Sequence, residues 1–330
     1  MNIKRLETSR LFHRFGFGPR PGEYAQALKD GVPTTRTRLT TVPATLTTST
    51  PVALPAITDL GKRPKDKTPE SVPFALAMRN QTQQIGLWWL DMMALSDHGL
   101  TERMVWFWHG HWATSIQKLN YALPMYKQNQ LFRTHALGNF NAMTKAMLND
   151  GALQFWLDGQ DNTAKAPNEN LGRELMELFV LGVNRYSEDD VKAISRVLTG
   201  YQVEKSSGVV TINQNRRDTS PVTLLGKTGS FTGDSLTDFL VARDDCATFI
   251  SERLWYRFIS STETMPTSFS AKKGFATRDI ATTIQAMAAD PSMSDEKYAM
   301  VKSPVEWFIS ACRALELTPS ALKTTGQLNI

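Results

Sequence analysis

Hydrophobic residues recur along most of the chain at the three- and four-residue spacing that is typical of amphipathic α-helices. Between residues 71 and 95, Trp88, Met92 and Leu95 are among those that return to one face. The same spacing predicts helices before Gly16, from Pro21 to about Gly31, and at about 71–95, 101–113, 122–137, 139–149, 168–181, 187–199, 234–243, 245–260, 277–289 and 303–315. Most of these segments end in Gly or are followed by Pro, as helix ends commonly are.

Two stretches depart from the helical pattern. Residues 33–69 are first rich in Thr and then in Pro and Lys, so we predict a surface excursion or linker there. Between Gly200 and Gly233, β-branched runs are broken by Ser-Gly and Thr-Gly, which predicts a small β-hairpin insertion around residues 201–228. The expected fold is therefore mainly α: a single multi-helix domain over residues 1–330 that carries this hairpin.

Composition excludes several classes of protein. The 330 residues include 41% hydrophobic ones and no apolar run near the ~18 residues that cross a bilayer, so no membrane insertion is expected. Lys and Arg (37) exceed Asp and Glu (32) by only five, and the aromatic residues lie in core-like patterns, so no nucleic-acid binding is expected. Cys246 and Cys312 lie in apolar helical patterns, which predicts buried free thiols.

The first residues of the chain predict a cytoplasmic protein. They are basic, but His13 and Arg14 interrupt any apolar stretch of the length that a signal peptide needs. The nucleophile elbow, the phosphate-binding loop, the dinucleotide fingerprint and the H-E-x-x-H zinc motif do not occur. The enzyme classes that these motifs identify are therefore not expected.

Residues 101–115, TERMVWFWHGHWATS, carry two histidines on a helix that is predicted to be buried on all sides. At roughly 100° per residue, Glu102 and His109 fall on one stripe, whereas His111 points roughly opposite to His109. Both histidines can bind one metal ion only if the helix ends near Gly110 or the run is extended. Two interpretations stay open: buried histidines that are hydrogen-bonded to carboxylates or carbonyls, and histidines that bind a metal or transfer protons.

Residues 157–182, LDGQDNTAKAPNENLGRELMELFVLG, contain a second helix with apolar residues in nearly every direction. Glu174 and Glu177 nevertheless share one stripe of it. Arg173 points about 100° away from Glu174 and is better placed to pair with Glu169, four residues earlier. Carboxylates in an apolar helix are unfavourable unless they meet a cation, a metal or a proton. The pair therefore belongs either to an internal ion-pair network or to a functional site.

Several long segments, in the same order, resemble the bacterial family known as domain of unknown function 1800. They are RLFHRFGFGPRPGE, ERMVWFWHGHWATS, QNQLFRTHALGNF, APNENLGRELMELFVLGV, YSEDDVKAISRVLTGY, LLGKTG and KSPVEWFISACRAL. The resemblance implies a largely helical fold and an activity that is not established. Members are often exported and are commonly encoded beside proteins of the domain of unknown function 1501 family. An envelope role, an exported or periplasmic location and a partner of that second family are what the resemblance implies.

The chain departs from the family pattern in three places. Relatives commonly have a His-His-Asp or His-Asp element where this chain has Arg216, Arg217 and Asp218, so a metal role of those histidines is absent here. A further histidine, often seen two residues after the position of Glu177, is Phe179 in this chain. Relatives also continue beyond the KSPVEW helix, whereas this chain stops at GQLNI, as a truncated or a reduced member would.

Two functional hypotheses follow. The leading one is a metal-dependent enzyme of the cell envelope, in which a divalent metal is bound by His109, His111, Glu102 and Glu177. Its catalytic groups would be Glu174, Glu177 and His109. The alternative is a non-catalytic scaffold or binding partner in which the His, Glu and Arg side chains form a buried structural network. Convergence of these side chains at a pocket favours the enzyme, and dry pairing with arginine favours the scaffold.

Overall fold

The computed structural model describes residues 2–43, 51–267, 269 and 275–324 of the chain. Helices account for most of it. The first eight α-helices are α1 (Ile3–Arg14), α2 (Glu23–Asp30), α3 (Val32–Thr40), α4 (Ser71–Leu95), α5 (Gly99–His111), α6 (Ile116–Leu119), α7 (Ala122–His135) and α8 (Phe140–Leu148). They are followed by α9 (Gly151–Trp156), α10 (Asn170–Glu174), α11 (Glu188–Val197), α12 (Gly233–Val241), α13 (Asp244–Phe258), α14 (Ile280–Ala288), α15 (Pro304–Ala314) and α16 (Pro319–Thr324).

A π-helix, Leu175–Val180, continues α10 without a break. In a π-helix the backbone hydrogen bonds span five residues instead of four, so the turn is wider than that of an α-helix. Such turns are rare and often occur at functional sites. This one lies in the segment that carries Glu174 and Glu177, and nothing in the helical periodicity of that segment predicts it.

The β structure consists of two separate antiparallel hairpins. In the first, β1 (Tyr201–Glu204) pairs with β2 (Val209–Ile212), and in the second, β3 (Val222–Leu224) pairs with β4 (Lys227–Gly229). Glycines with positive φ, Gly208 and Gly226, lie in the two turns, where a residue without a Cβ atom avoids strain. The mainly α fold with a small hairpin insertion is thus confirmed, with two hairpins where one was expected.

Helix α5 runs through the main hydrophobic core. It packs against α7 and α4, and Met104, Val105 and Trp108 on it are fully buried. Large aromatic side chains from other elements surround its C-terminal half, among them Phe140 of α8 and Phe179 of the π-helix. Polar side chains in this half therefore lack water and need partners within the protein.

Part of the predicted surface excursion belongs to the packed structure. Residues 32–40 form α3, which lies between α1 and α14, and its Thr35 and Thr40 are buried. The hydroxyl of Thr35 donates to the carbonyl of Ala27, and that of Thr40 to the carbonyl of Arg36. Residues 51–70 have no regular helix or strand. Residues 44–50 of the excursion and the GQLNI ending lie outside the described residues.

Within the residues that the structure describes, none of the helices combines the length and the apolar character needed to span a lipid bilayer.

Candidate functional site

Helix α5 directs its two histidines to opposite sides, as the spacing predicted. His109 lines a pocket of about 250 Å³ together with Trp89 and Asn129. The Trp89 and His109 rings meet edge to face, with their centroids 5.0 Å apart. Burial lowers the pKa of His109 to about 4, so this imidazole is neutral at neutral pH. The helix continues through His111, so the two side chains do not converge.

His111 is held by the backbone of the π-helix. Its Nε2 atom lies 2.9 Å from the carbonyl oxygen of Phe179. Because a carbonyl only accepts, Nε2 carries the hydrogen and Nδ1 the lone pair. Nδ1 is buried and has no hydrogen-bond partner in the described part of the chain. Burial, and then the positive charge of Arg253, lower the pKa of His111 to about 3, although the bond to Phe179 acts in the opposite direction.

Glu174 is the last residue of α10, Glu177 lies in the π-helix that follows it, and the two carboxyl groups influence each other. Both side chains are half-buried. Burial, and then the negative charge of Glu177, raise the pKa of Glu174 above its usual value, although Arg173 opposes this. The hydroxyl of Tyr186 donates to a carboxylate oxygen of Glu177. Burial and this bond raise the pKa of Tyr186 to about 12, which keeps the hydroxyl protonated and able to donate.

His111 and Glu177 line one pocket, which we call the His111–Glu177 pocket. Its volume is about 350 Å³. The lining is made of Gly110, His111, Ala113, Glu177, Leu178, Leu181, Gly182, Val183, Arg185, Phe249, Glu252 and Arg253. Arg185 is paired with Asp245 at 2.6 Å, whereas Arg253 forms no ion pair with any carboxylate of the described residues. The pocket therefore combines a neutral imidazole, carboxylates and a cation without a fixed partner.

Glu102 belongs to neither pocket. Its side chain is fully buried, and its two oxygens accept from Nε and Nη2 of Arg133 at 2.7 and 2.9 Å. This two-point ion pair uses both carboxylate oxygens, so the expected convergence of Glu102 with His109 does not occur. Arg173 pairs with Glu169 at 3.1 Å, as predicted, and also with Glu188.

The four residues predicted as ligands of one metal are thus separated. His109 faces its own pocket, His111 and Glu177 share another, and Glu102 is bound to Arg133. In the described ranges there is no group of three or more His, Cys, Asp or Glu side chains that could hold a metal ion. The structure brings together only the pair His111 and Glu177 at one pocket.

Three features of the site were missed by the sequence reasoning. Tyr186 and Arg253 approach from the loop after the π-helix and from α13, and no local pattern marks them. The π-helix itself was also missed. One signal was available in the sequence, the Leu-Gly pair that ends residues 157–182. Gly182 has a φ of +91°, and a Cβ atom there would lie 2.8 Å from the ring of Phe249. A glycine at such a close contact indicates that the wall of the His111–Glu177 pocket is tightly packed there.

Comparison with known proteins gives one match. The family described as "Protein of unknown function (DUF1800)" matches residues 10–329 of the chain. The curated proteins contain no match, and neither do the solved structures.

Proposed function

Since the chain belongs to the DUF1800 family, for which no activity is described, we propose from the His111–Glu177 pocket that it is an enzyme using general acid–base chemistry on a small polar substrate. The observation that carries the proposal is the π-helix. It places Glu177 in the pocket wall, and the carbonyl of its Phe179 fixes the ring of His111 beside it. Single wide turns of this kind are found frequently at functional sites.

The polar groups in and beside the pocket have distinct roles in the proposal. Glu177 is the general base, because its carboxylate reaches the pocket and is oriented by Tyr186. Glu174 does not line the pocket and acts through Glu177: it is the acid of the pair, because its raised pKa keeps a proton on it to higher pH than on a free glutamate. Arg253 stabilises negative charge that develops on the substrate.

His111 serves the site as a neutral group and not as the base. A pKa of about 3 leaves it far too weak a base to take a proton near neutral pH. Its Nδ1 lone pair is instead suited to accept a hydrogen bond or to bind a metal. A histidine that ligates a metal usually donates its other ring N–H to a carbonyl or carboxylate, as His111 does to Phe179.

A metal-dependent form of the enzyme therefore rests on His111 and Glu177 alone. A divalent metal held there would polarise the substrate or lower the pKa of a bound water. Elemental analysis of the purified protein decides between the two forms. About one tightly bound transition metal per chain in wild type, lost in His111→Asn and in Glu177→Gln, would support the metal-dependent form of the proposal over the metal-free form.

A second candidate function is a non-catalytic scaffold or binding partner. The ion pair of the fully buried Glu102 with Arg133 favours it, because one of the predicted site residues has a purely structural partner. In that case the His111–Glu177 pocket would bind a ligand or a partner segment without changing it.

Activity screening separates the enzyme from the scaffold. Wild type, Glu177→Gln and the control Glu188→Gln are assayed against chromogenic esters, phosphate esters and glycosides. Glu188 lies eleven positions further on at the surface and pairs with Arg173 outside the pocket. Turnover that is lost in Glu177→Gln and kept in the control supports the enzyme. Absence of turnover of all three classes by folded wild type would overturn the enzyme proposal in favour of the scaffold.

Location and partner rest on the family resemblance alone. We propose an exported or periplasmic location and a protein of the domain of unknown function 1501 family as partner. Fractionation of cells that express the gene at its natural level, followed by co-purification with the neighbouring gene product, tests both. Recovery in the cytoplasm without that partner would contradict them.

A further inference from the structure

A second polar pocket lies where three distant parts of the sequence meet, away from the His111–Glu177 pocket. Its volume is about 270 Å³. Helix α1 contributes Ser9, Arg10, His13 and Arg14, helix α5 contributes Arg103, and the remainder comes from residues 299–302 and Glu306 of α15. We call it the basic pocket, because its lining holds the side chains of three arginines and one lysine and only one carboxylate.

The single carboxylate of the lining is already engaged. Oε1 of Glu306 lies 2.5 Å from Nη1 of Arg103, and its Oε2 accepts from the backbone N–H of Ser303 at 2.9 Å. Both Arg103 and Glu306 are buried. Glu306 therefore compensates mainly Arg103, and its negative charge also acts on Lys302 without an ion pair between the two.

Arg10 and Arg14 are satisfied mainly by neutral acceptors. Arg10 donates to the carbonyls of Ser292, Met293 and Asp295, and Arg14 donates to the carbonyl of Tyr298. The carboxylates of Asp295 and Glu296 lie near Arg10 but outside the lining, and both side chains are exposed. Burial, and then the charge of Arg10, lower the pKa of Arg14 to about 9, which shows that positive charge is crowded here.

Lys302 and His13 lie at the open side of the pocket. Nζ of Lys302 is 3.3 Å from Oγ of Ser310, which in turn is 3.4 Å from Nδ1 of His13. Lys302 is exposed and forms no ion pair with a carboxylate of the described residues. Burial and the charges of Lys302 and Arg103 lower the pKa of His13 to about 4. The imidazole is therefore neutral at neutral pH, mainly because of its burial and then because of the two neighbouring cations.

We infer that the basic pocket binds a soluble small molecule through a phosphate group, with Lys302 as its first contact and His13 beside it. The four cations of the lining outnumber its one carboxylate, and Arg10 and Arg14 are bonded mainly to carbonyls, so a positive potential remains that an entering dianion offsets. Lys is a common phosphate ligand, and its flexible stem suits a pocket that is open at one side. A bound dianion also favours the protonated form of His13 and therefore raises the pKa of its imidazole.

The site is independent of the proposed enzyme activity. None of its lining residues belongs to the His111–Glu177 pocket, so loss of phosphate binding would leave the proposal for Glu177 unaffected.

Binding is measured by calorimetry with inorganic phosphate and with glycerol 3-phosphate, at constant ionic strength set with chloride. The variant is Lys302→Ala, and the matched control is Lys297→Ala, an exposed lysine of the same segment that lies outside the lining. We expect saturable binding by wild type and control, weakened about tenfold or more in Lys302→Ala, which is the loss of one charged hydrogen bond. Equal affinities of the two variants, or no binding beyond chloride, would overturn the inference.

A second readout follows the proton on His13 by NMR titration, with sulfate as the probe because it stays a dianion across the acidic range. Sulfate bound in the basic pocket raises the pKa of His13 from about 4 toward its ordinary value. Sulfate bound elsewhere on the protein leaves this pKa unchanged. Vesicles that contain phosphatidic acid, compared with neutral vesicles, test a lipid headgroup as the source. Binding to the vesicles together with no binding of either soluble phosphate would contradict the inference.

Discussion

Arg133 and Glu102 form a two-point ion pair between α7 and α5 in the core, with N–O distances of 2.7 and 2.9 Å. The Arg133 guanidinium also lies over the ring of Trp88, 5.1 Å from its centroid. This arrangement removes Glu102 from the set of residues available for chemistry. The pair also links α5 and α7 at one defined position.

Removal of one partner of this pair should destabilise the protein strongly. Arg133→Met leaves the fully buried carboxylate of Glu102 without a cation, and we expect a loss of about 3–5 kcal/mol in the free energy of unfolding. The double variant, Glu102→Met with Arg133→Met, should recover much of this loss because no charge remains buried. Chemical denaturation of wild type, Arg133→Met and the double variant measures both effects. Equal stability of Arg133→Met and wild type would contradict the prediction that this substitution leaves the charge of Glu102 buried and unpaired.

His111 should stay neutral far below the ordinary range of histidine. Its pKa falls from 6.5 to about 3, so between these values the unfolded chain binds a proton that the native chain does not. Its contribution to stability is therefore complete above pH 6.5 and is lost as the pH falls toward 3. Nitrogen-15 NMR at pH 5 should show a neutral ring with hydrogen on Nε2. An imidazolium signal at that pH would refute the assignment.

Asp150 should produce a pH dependence of the opposite sign. Burial raises its pKa from 3.8 to about 6, against the hydrogen bonds from Leu153 and Gln128. The native state then holds a proton that the unfolded state has lost, so this contribution is complete below pH 3.8 and disappears as the pH rises through 6. The change is up to about 3 kcal/mol.

The variant Asp150→Asn isolates this effect. Asparagine can still cap α9 as Asp150 does through Leu153, but it does not titrate. The difference in unfolding free energy between wild type and variant should therefore change with pH between about 4 and 6, in favour of the variant at the higher value. A difference that is constant over this range would show that Asp150 keeps an ordinary pKa.

Gly172 should not tolerate a side chain. A Cβ atom there would lie 2.7 Å from Cγ2 of Ile194 and 3.0 Å from Oγ of Ser195, where α10 meets α11. We expect Gly172→Ala to cost about 1–3 kcal/mol. The control is Gly86→Ala, within α4, where a Cβ atom meets nothing within 4 Å. That change should stabilise the protein by about 0.5–1 kcal/mol, because alanine favours the helix. Similar thermal midpoints for the two variants would be inconsistent with the close packing at Gly172.

Neither cysteine should react with thiol reagents while the protein is folded. Both are free and buried, and burial raises the pKa of Cys246 to about 12 and that of Cys312 to about 11. Because the thiolate is the reactive species, labelling should require unfolding, after which two thiols per chain appear. Fast labelling of one thiol in native buffer would indicate an opening that exposes it.

Sequence reasoning recovered what depends on local periodicity. The helices around residues 71–95 and 101–113 were predicted because their apolar residues follow the helical period, and they are observed as Ser71–Leu95 and Gly99–His111. The opposite directions of His109 and His111 follow from the same geometry. Helix α3 was missed because its buried positions are threonines, whose hydroxyls bond to carbonyls and thereby pack like apolar groups.

The pairing of distant residues was beyond the sequence pattern. Glu102 and Arg133 are 31 positions apart, and no periodicity of either helix specifies which cation meets which carboxylate. The π-helix was missed for a similar reason, since its extra residue is compensated by tertiary contacts such as the bond from His111 to Phe179. Such contacts exist only after the helices have packed.

The wide turn at Leu175–Val180 makes the length of this segment as important as its composition. An α-helix accommodates one residue fewer over the same turn, and each residue advances the chain by roughly 100°. Deletion of any single residue here would restore the ordinary helical phase and rotate either Glu177 or Phe179 away from His111. The pocket therefore depends on the number of residues in this turn, and the deletion of one of them would disrupt it without any substitution.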